Sequence, residues 1–316
     1  LEVPAPAESL RRRIAKRVLV VGVLIALVPF APVERLFLFP TSGPTPASAG
    51  PPGTRSIRFE SADGTPLHAW FIPGEGGELP GPAVLHLHGN AGNILSHAFF
   101  SEHLPPAGYS VLLLDYRGFG ESGGSANRRE GLLMDAHASF GALAAQAEVD
   151  PARIAVFGQS LGGAIAVALA AEEPRVAALL LESPFDCWRR IAANALGGDP
   201  APLAARAAAA LLVRDSLAPI AAIPRVACPI LLQHGTADKI VPVSHGRNLA
   251  AAAATEIEFV ELPDGHHNIL RETHSGVRAR EIEFLRRHLG GAGGAGPRGD
   301  ASGGDRGDRA SGAPRP

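Results

Sequence analysis

Gly158-Gln159-Ser160-Leu161-Gly162 sets a serine between two glycines. Ahead of it, Arg153–Phe157 is a short apolar run of the kind a buried strand shows, and behind it Gly163–Ala170 is an Ala-rich run that reads as a buried helix. A turn that sharp brings the two backbones together. Small residues two before and two after the serine keep Cβ atoms out of that contact and push the serine into solvent, as in a nucleophile elbow. A serine hydroxyl is a weak nucleophile at neutral pH and needs a neutral imidazole within hydrogen-bond reach to take its proton. The cation so formed needs a carboxylate on its other nitrogen. Two stretches supply these groups. Asp238 lies in the loop Thr236–Pro242, just past the apolar run Pro229–Gly235, and His266 lies in Pro263–Asn268, just past the alternating run Glu256–Leu262. A carboxylate at the C-terminal end of a parallel strand sits on the face where open α/β sheets bind ligands.

Neither partner is without a rival. Asp264 and Asp186 compete with Asp238, which is favoured because it directly follows a strand end. His267 competes with His266; as the histidine after the glycine, His266 is taken as the base and His267 as a loop hydrogen-bonder. His86 and His88, on the third strand, read as core or turn histidines. The oxyanion of a tetrahedral intermediate needs preorganised N–H donors, each worth about 2.7–4 kcal/mol. One is expected from the backbone of Leu161, directly after the serine. The other is expected from the loop after Ala83–Leu87, with the N–H of Asn90 preferred and Ala91 as the fallback.

The order serine, acid, histidine now joins several further pieces: His88-Gly89-Asn90-Ala91-Gly92-Asn93, Asp115-Tyr116-Arg117-Gly118-Phe119-Gly120-Glu121-Ser122, Glu182-Ser183-Pro184-Phe185, His234-Gly235-Thr236-Ala237-Asp238 and Gly265-His266-His267-Asn268. Together they resemble the α/β-hydrolase superfamily, and within it the compact, N-terminally anchored serine hydrolases whose catalytic domain is like that of prolyl oligopeptidases. The resemblance covers about residues 55–289. It implies a mostly parallel eight-stranded sheet with helices on both faces. It also implies a Ser160–His266–Asp238 triad that cleaves carboxylic ester or thioester bonds of small or lipid-like acyl substrates through an acyl-enzyme, with no metal or organic cofactor. A serine peptidase and a noncatalytic tethered binding protein of the same fold are the rival readings.

Between Asp186 and Ala222 the chain is too apolar for a plain loop, and Ala204–Val213 is almost continuous Ala and Leu. A small helical cap over the site and simple crossover-helix packing both fit. Phe119 is a candidate pocket residue, and Asp115–Gly118 a structural turn. Ser56–Phe59 and Leu67–Ile72 read as an opening antiparallel hairpin. Cys187 and Cys228 fall beyond opposite ends of neighbouring strands, too far apart for a disulfide, so both are expected as free thiols.

The 316 residues, 46% hydrophobic and with a formal net charge of −2, suit one globular domain and give no reason to expect a nucleic-acid partner. The ends differ from the middle. Arg11-Arg12-Arg13, Lys16 and Arg17 precede Val18–Val33, which carries no charge but is short of the ~20 residues that span a bilayer; Leu36–Phe39 extends it. Residues 1–40 are thus expected to be a basic N-terminus and signal anchor that holds the domain at the cell membrane, on the extracytoplasmic side. Secretion after signal cleavage is the alternative. Residues 41–54 read as a Pro/Gly-rich tether, and 290–316 as a low-complexity, disordered tail. The sequence does not fix the oligomeric state.

Overall fold

The computed structural model describes residues 42–77 and 79–290. The expected anchor segment and the tail beyond Gly290 lie outside the described residues. Eight extended segments pair into one sheet: β1 (Arg55–Glu60), β2 (Pro66–Ile72), β3 (Gly81–Leu87), β4 (Ser110–Asp115), β5 (Val149–Gln159), β6 (Val176–Glu182), β7 (Ile230–Gly235) and β8 (Ile257–Leu262). Their order across the sheet is β1-β2-β4-β3-β5-β6-β7-β8. The β1–β2 and β2–β4 pairs are antiparallel, so the opening hairpin is as expected, and every pair from β4 to β8 is parallel.

Six longer helices accompany the sheet: α1 (Arg129–Ala144), α2 (Leu161–Glu172), α3 (Trp188–Gly197), α4 (Leu203–Leu212), α5 (Val243–Ala252) and α6 (Gly276–Leu289). The central strands are continuous apolar runs because both faces are covered. Leu85, Leu87, Val156, Leu181 and Leu232 point to one face, against Leu132 and Phe140 of α1, Ile165 of α2 and Leu249 of α5. Their neighbours Val84, Ala155, Phe157, Leu180 and Leu231 point to the other, against Phe100, Leu104 and Phe284 and Leu285 of α6. Each such side chain contributes about 1.5–3 kcal/mol by leaving water. β8, at the sheet edge, is only half-buried over most of its length.

The segment after β6 packs mostly on itself. The helix α4 buries only Ala205 and Ala209, and α3 and α4 share a small cluster of Ala192, Ala193, Ala209 and Val213. Contact with the main core is made by Trp188 at the start of α3 and by Leu217, Ile220, Ala222 and Ile223 in the segment that follows α4. The pair α3–α4 is therefore a hairpin raised off the sheet. At its root, Trp188 and Ile191 pack on Phe185, Ala164 and Val241.

From Ser42 onward the stretch read as a tether is docked. Ser42 forms a β-bridge with Gly120. Thr45 is fully buried, donating its hydroxyl to Asp115 Oδ2 at 3.2 Å and its N–H to Glu121 Oε1 at 2.7 Å. Its carbonyl accepts from Trp70 Nε1 at 2.8 Å. Cys187 and Cys228 are free thiols, as expected. Among the described residues no helix is long and apolar enough to cross a membrane.

Candidate active site

Ser160 stands between the end of β5 and the start of α2 with φ 54° and ψ −113°, a backbone conformation that a non-glycine residue rarely adopts. The glycines around it are required by contact. A Cβ on Gly158 would come 2.5 Å from the Gly162 carbonyl oxygen, and one on Gly162 would come 1.8 Å from that of Leu87. The turn thus packs backbone on backbone and lifts Ser160 to the C-terminal edge of the sheet. Leu161 is the first residue of α2, so its N–H has no acceptor within the helix.

Asp238 follows β7 at the same edge and is buried. Its Oδ1 accepts from the backbone N–H of Ile240 and Val241 at 2.9 and 2.8 Å. Its Oδ2 is 2.7 Å from Nδ1 of His267, which is also buried. Burial pushes the Asp238 carboxyl up, but the nearby His234 and hydrogen bonds from His267 and the Val241 amide outweigh it and hold the group well below the usual carboxylate range. The carboxylate is therefore ionised at neutral pH. With its Nδ1–H donated to Asp238, His267 presents Nε2 as an acceptor. Gln159, the residue before Ser160, brings its side-chain nitrogen to 3.5 Å from that Nε2 and 3.5 Å from Asn268 Oδ1.

The expectation of His266 as the base is corrected here: the imidazole paired with Asp238 is that of His267, and His266 is exposed. The cause is a backbone crossing. Gly265 lies against Gly235, where a Cβ on Gly235 would meet the Gly265 oxygen at 2.2 Å, and the chain enters with Asp264 at φ 55°. Past that buried glycine the loop leaves His266 exposed and His267 buried. The rivals of Asp238 are engaged or exposed. Asp264 is exposed, whereas Asp186 is buried and lies 2.5 Å from Nδ1 of His245, whose Nε2 is 3.3 Å from Asn194 Oδ1. Gln159 and Asn268 were missed; their signal was adjacency to the serine and the histidine.

The loop after β3 carries Asn90 and Ala91 beside this edge. Ala91 adopts φ 69° and donates its N–H to Asn90 Oδ1 at 2.9 Å, which engages the fallback donor. Asp115 braces the loop by accepting from the Ile94 N–H at 3.0 Å. His88 bonds its own neighbour's carbonyl, Gly89 O, at 2.7 Å and stacks on His97; burial drives its pKa down to about 3. His86 is 2.8 Å from Ser101 Oγ, and burial holds it well below the imidazole range. Both are neutral core histidines. Phe119 is fully buried against His88, so it supports the loop from beneath and does not line an open pocket. Among the described residues, Glu256, Glu258 and His288 offer ligand atoms within 4.8 Å of one another, but at the start of β8, on the opposite edge from Ser160.

A family model described as alpha/beta hydrolase fold matches residues 82–201. The chain is also 34% identical over 226 residues to the alpha/beta hydrolase domain-containing protein WAV2 of Arabidopsis thaliana, covering 67% of this chain and 71% of that protein. The chain belongs to the α/β-hydrolase family. A Mycobacterium tuberculosis protein described as uncharacterized, Rv2307c, is 39% identical over 265 residues, covering 82% of this α/β-hydrolase and 90% of its relative. Among solved structures, the Pyrococcus furiosus esterase Pf2001 superposes with a TM-score of 0.66 at 20% identity, covering 80% of this chain and 98% of that one. At that identity the likeness speaks for the fold.

Proposed function

We propose that this α/β-hydrolase is a serine hydrolase that cleaves carboxylic ester or thioester bonds of small or lipid-like acyl substrates. The observation that carries the reading is the buried 2.7 Å pair of Asp238 and His267 at the edge where the elbow presents Ser160. His267 Nε2 takes the proton of Ser160 as Oγ attacks the acyl carbon, and Asp238 fixes the tautomer and stabilises the imidazolium. The N–H groups of Leu161 and Asn90 receive the developing oxyanion. Collapse expels the alcohol or thiol, which takes the proton back from His267. Water then repeats the cycle on the acyl-enzyme, releasing the acid and free Ser160. The basic and apolar N-terminal segment holds the enzyme at the membrane with its catalytic domain outside the cytoplasm.

Incubation with a fluorophosphonate probe tests the chemistry. Wild type is labelled and Ser160→Ala is not, while both unfold at similar temperatures. Turnover of p-nitrophenyl esters from two to sixteen acyl carbons exceeds that of peptide p-nitroanilides. Absence of labelling in folded wild type defeats the reading, and faster anilide cleavage replaces it with a peptidase.

A further inference from the structure

The large apolar side chains that remain exposed are not spread over the surface. Leu95 follows the loop after β3, Ile240 lies beyond Asp238 after β7, and Ile269 lies beyond His267 after β8. Leu196 of α3 and Leu203, Leu211 and Leu212 of α4 stand on the raised hairpin after β6. All seven lie on segments that leave the C-terminal ends of parallel strands, the edge that carries Ser160. Among the described residues the one other large exposed apolar side chain, Leu79, sits before β3 at the opposite edge. Leu203 is 79% exposed and Ile240 58%. Apolar surface gathered this way, around a site, marks an interaction face.

A second, independent observation says what meets it. The chain outside the structure ends at this same edge: Ser42 bridges Gly120, in the loop that follows the C-terminal end of β4. With only Pro40 and Thr41 before Ser42, the sequence completes Leu36–Phe39, which follows the uncharged Val18–Val33 run and the five basic residues ahead of it. The hairpin between Trp188 and Asp215 carries Arg189, Arg190, Arg206 and Arg214 against Asp199 and Asp215; Arg190 also pairs with Asp186 at 2.7 Å, which leaves a small cationic excess suited to an anionic lipid surface.

We propose that the catalytic mouth faces the bilayer, with the α3–α4 hairpin, Leu95, Ile240 and Ile269 dipped into its interface, so that acyl substrate enters from lipid and not from water. The proposal rests on the membrane-held reading above but not on turnover.

Tryptophan placed at Leu203 tests it, with Leu79→Trp as the opposite-edge control, in the full chain and in a Ser160→Ala background. Each variant is mixed with phosphatidylcholine–phosphatidylglycerol vesicles, with or without brominated acyl chains, and sedimented. The chain is expected to co-sediment, and the brominated lipid to quench about half of the added Leu203→Trp emission, as for a side chain about 5–10 Å into the interface. The Leu79→Trp signal should be unchanged. Co-sedimentation without quenching at Leu203→Trp overturns the orientation while leaving the membrane-held reading intact; a blue-shifted, unquenched Leu203→Trp would mean that residues 18–39 of the chain itself cover the hairpin. Equal quenching at both positions, or no co-sedimentation, also overturns it. Because the readout is the same without the serine, failure of the hydrolase reading is scored separately, by the fluorophosphonate probe.

Discussion

Asp238 has its charge distributed over three strong acceptances, two from backbone amides and one from His267. That arrangement orients His267 by fixed partners, whereas His266 projects into solvent. Replacing His267 with Ala should therefore lower kcat/KM on a short ester by about 10⁴-fold or more. Replacing His266 with Ala should leave it within about twofold, as surface changes do. Steady-state turnover of the two variants, with thermal unfolding as the folding control, decides between them. The serine was legible from sequence because its steric demand leaves a mark: only small residues fit where Gly158 and Gly162 touch neighbouring backbone. The choice between the two histidines left no such mark. Which one turns inward depends on the Gly235–Gly265 crossing, a contact between segments 30 residues apart in sequence that no local spacing records.

The loop that carries His267 is seated on a buried ionic cluster. Arg271 donates to both oxygens of Glu281 at 2.7 and 2.8 Å and lies 2.9 Å from Glu182, the last residue of β6. Burial pushes Glu182 up to about 7; burial also pushes Glu281 up, but Arg271 and His103 override it and hold that carboxyl low. The linkage follows in sign. Between the ordinary carboxyl range near pH ~4.3 and about 7, the folded chain keeps a proton on Glu182 that the unfolded chain has released, so stability falls as pH rises through that window. Glu182→Gln removes the titration while Arg271 keeps Glu281. Its melting temperature relative to wild type should be higher at pH 8 than at pH 5, measured by calorimetry over that range. None of this cluster was legible in the sequence, because its members lie on β6, the loop after β8 and α6. The hairpin was half legible. An Ala/Leu run has the same composition whether it crosses over the sheet or stands off it, and its composition does not foretell that only Ala205 and Ala209 of α4 are buried.

That central strands are parallel and buried was readable because strands buried on both faces must be continuous apolar runs, whereas their order across the sheet left no mark in the sequence. Less readable was how the N-terminal stretch meets the domain: its Pro, Gly and Ser content suggests a free linker, yet Thr45 is sealed beneath it. Thr45 supplies a donor to Asp115, whose other oxygen holds the Ile94 N–H behind the Asn90 loop, and an acceptor to Trp70. A shortened chain that starts at Arg55 would strand these groups, each at a cost of about 1–3 kcal/mol. Compared with one that starts at Ser42, it should melt several degrees lower and turn over esters more slowly, by scanning calorimetry and steady-state assay.

The pair of Asp186 and His245 repeats, inside one chain, the relation between Asp238 and His267. Its imidazole has partners at both nitrogens and no nucleophile to serve. In a proton NMR spectrum the two carboxylate-bound imidazole N–H groups should both resonate far downfield, where such protons are deshielded. Acylating Ser160 should move one of them and leave the other in place, so the second serves as an internal reference line for the state of the first.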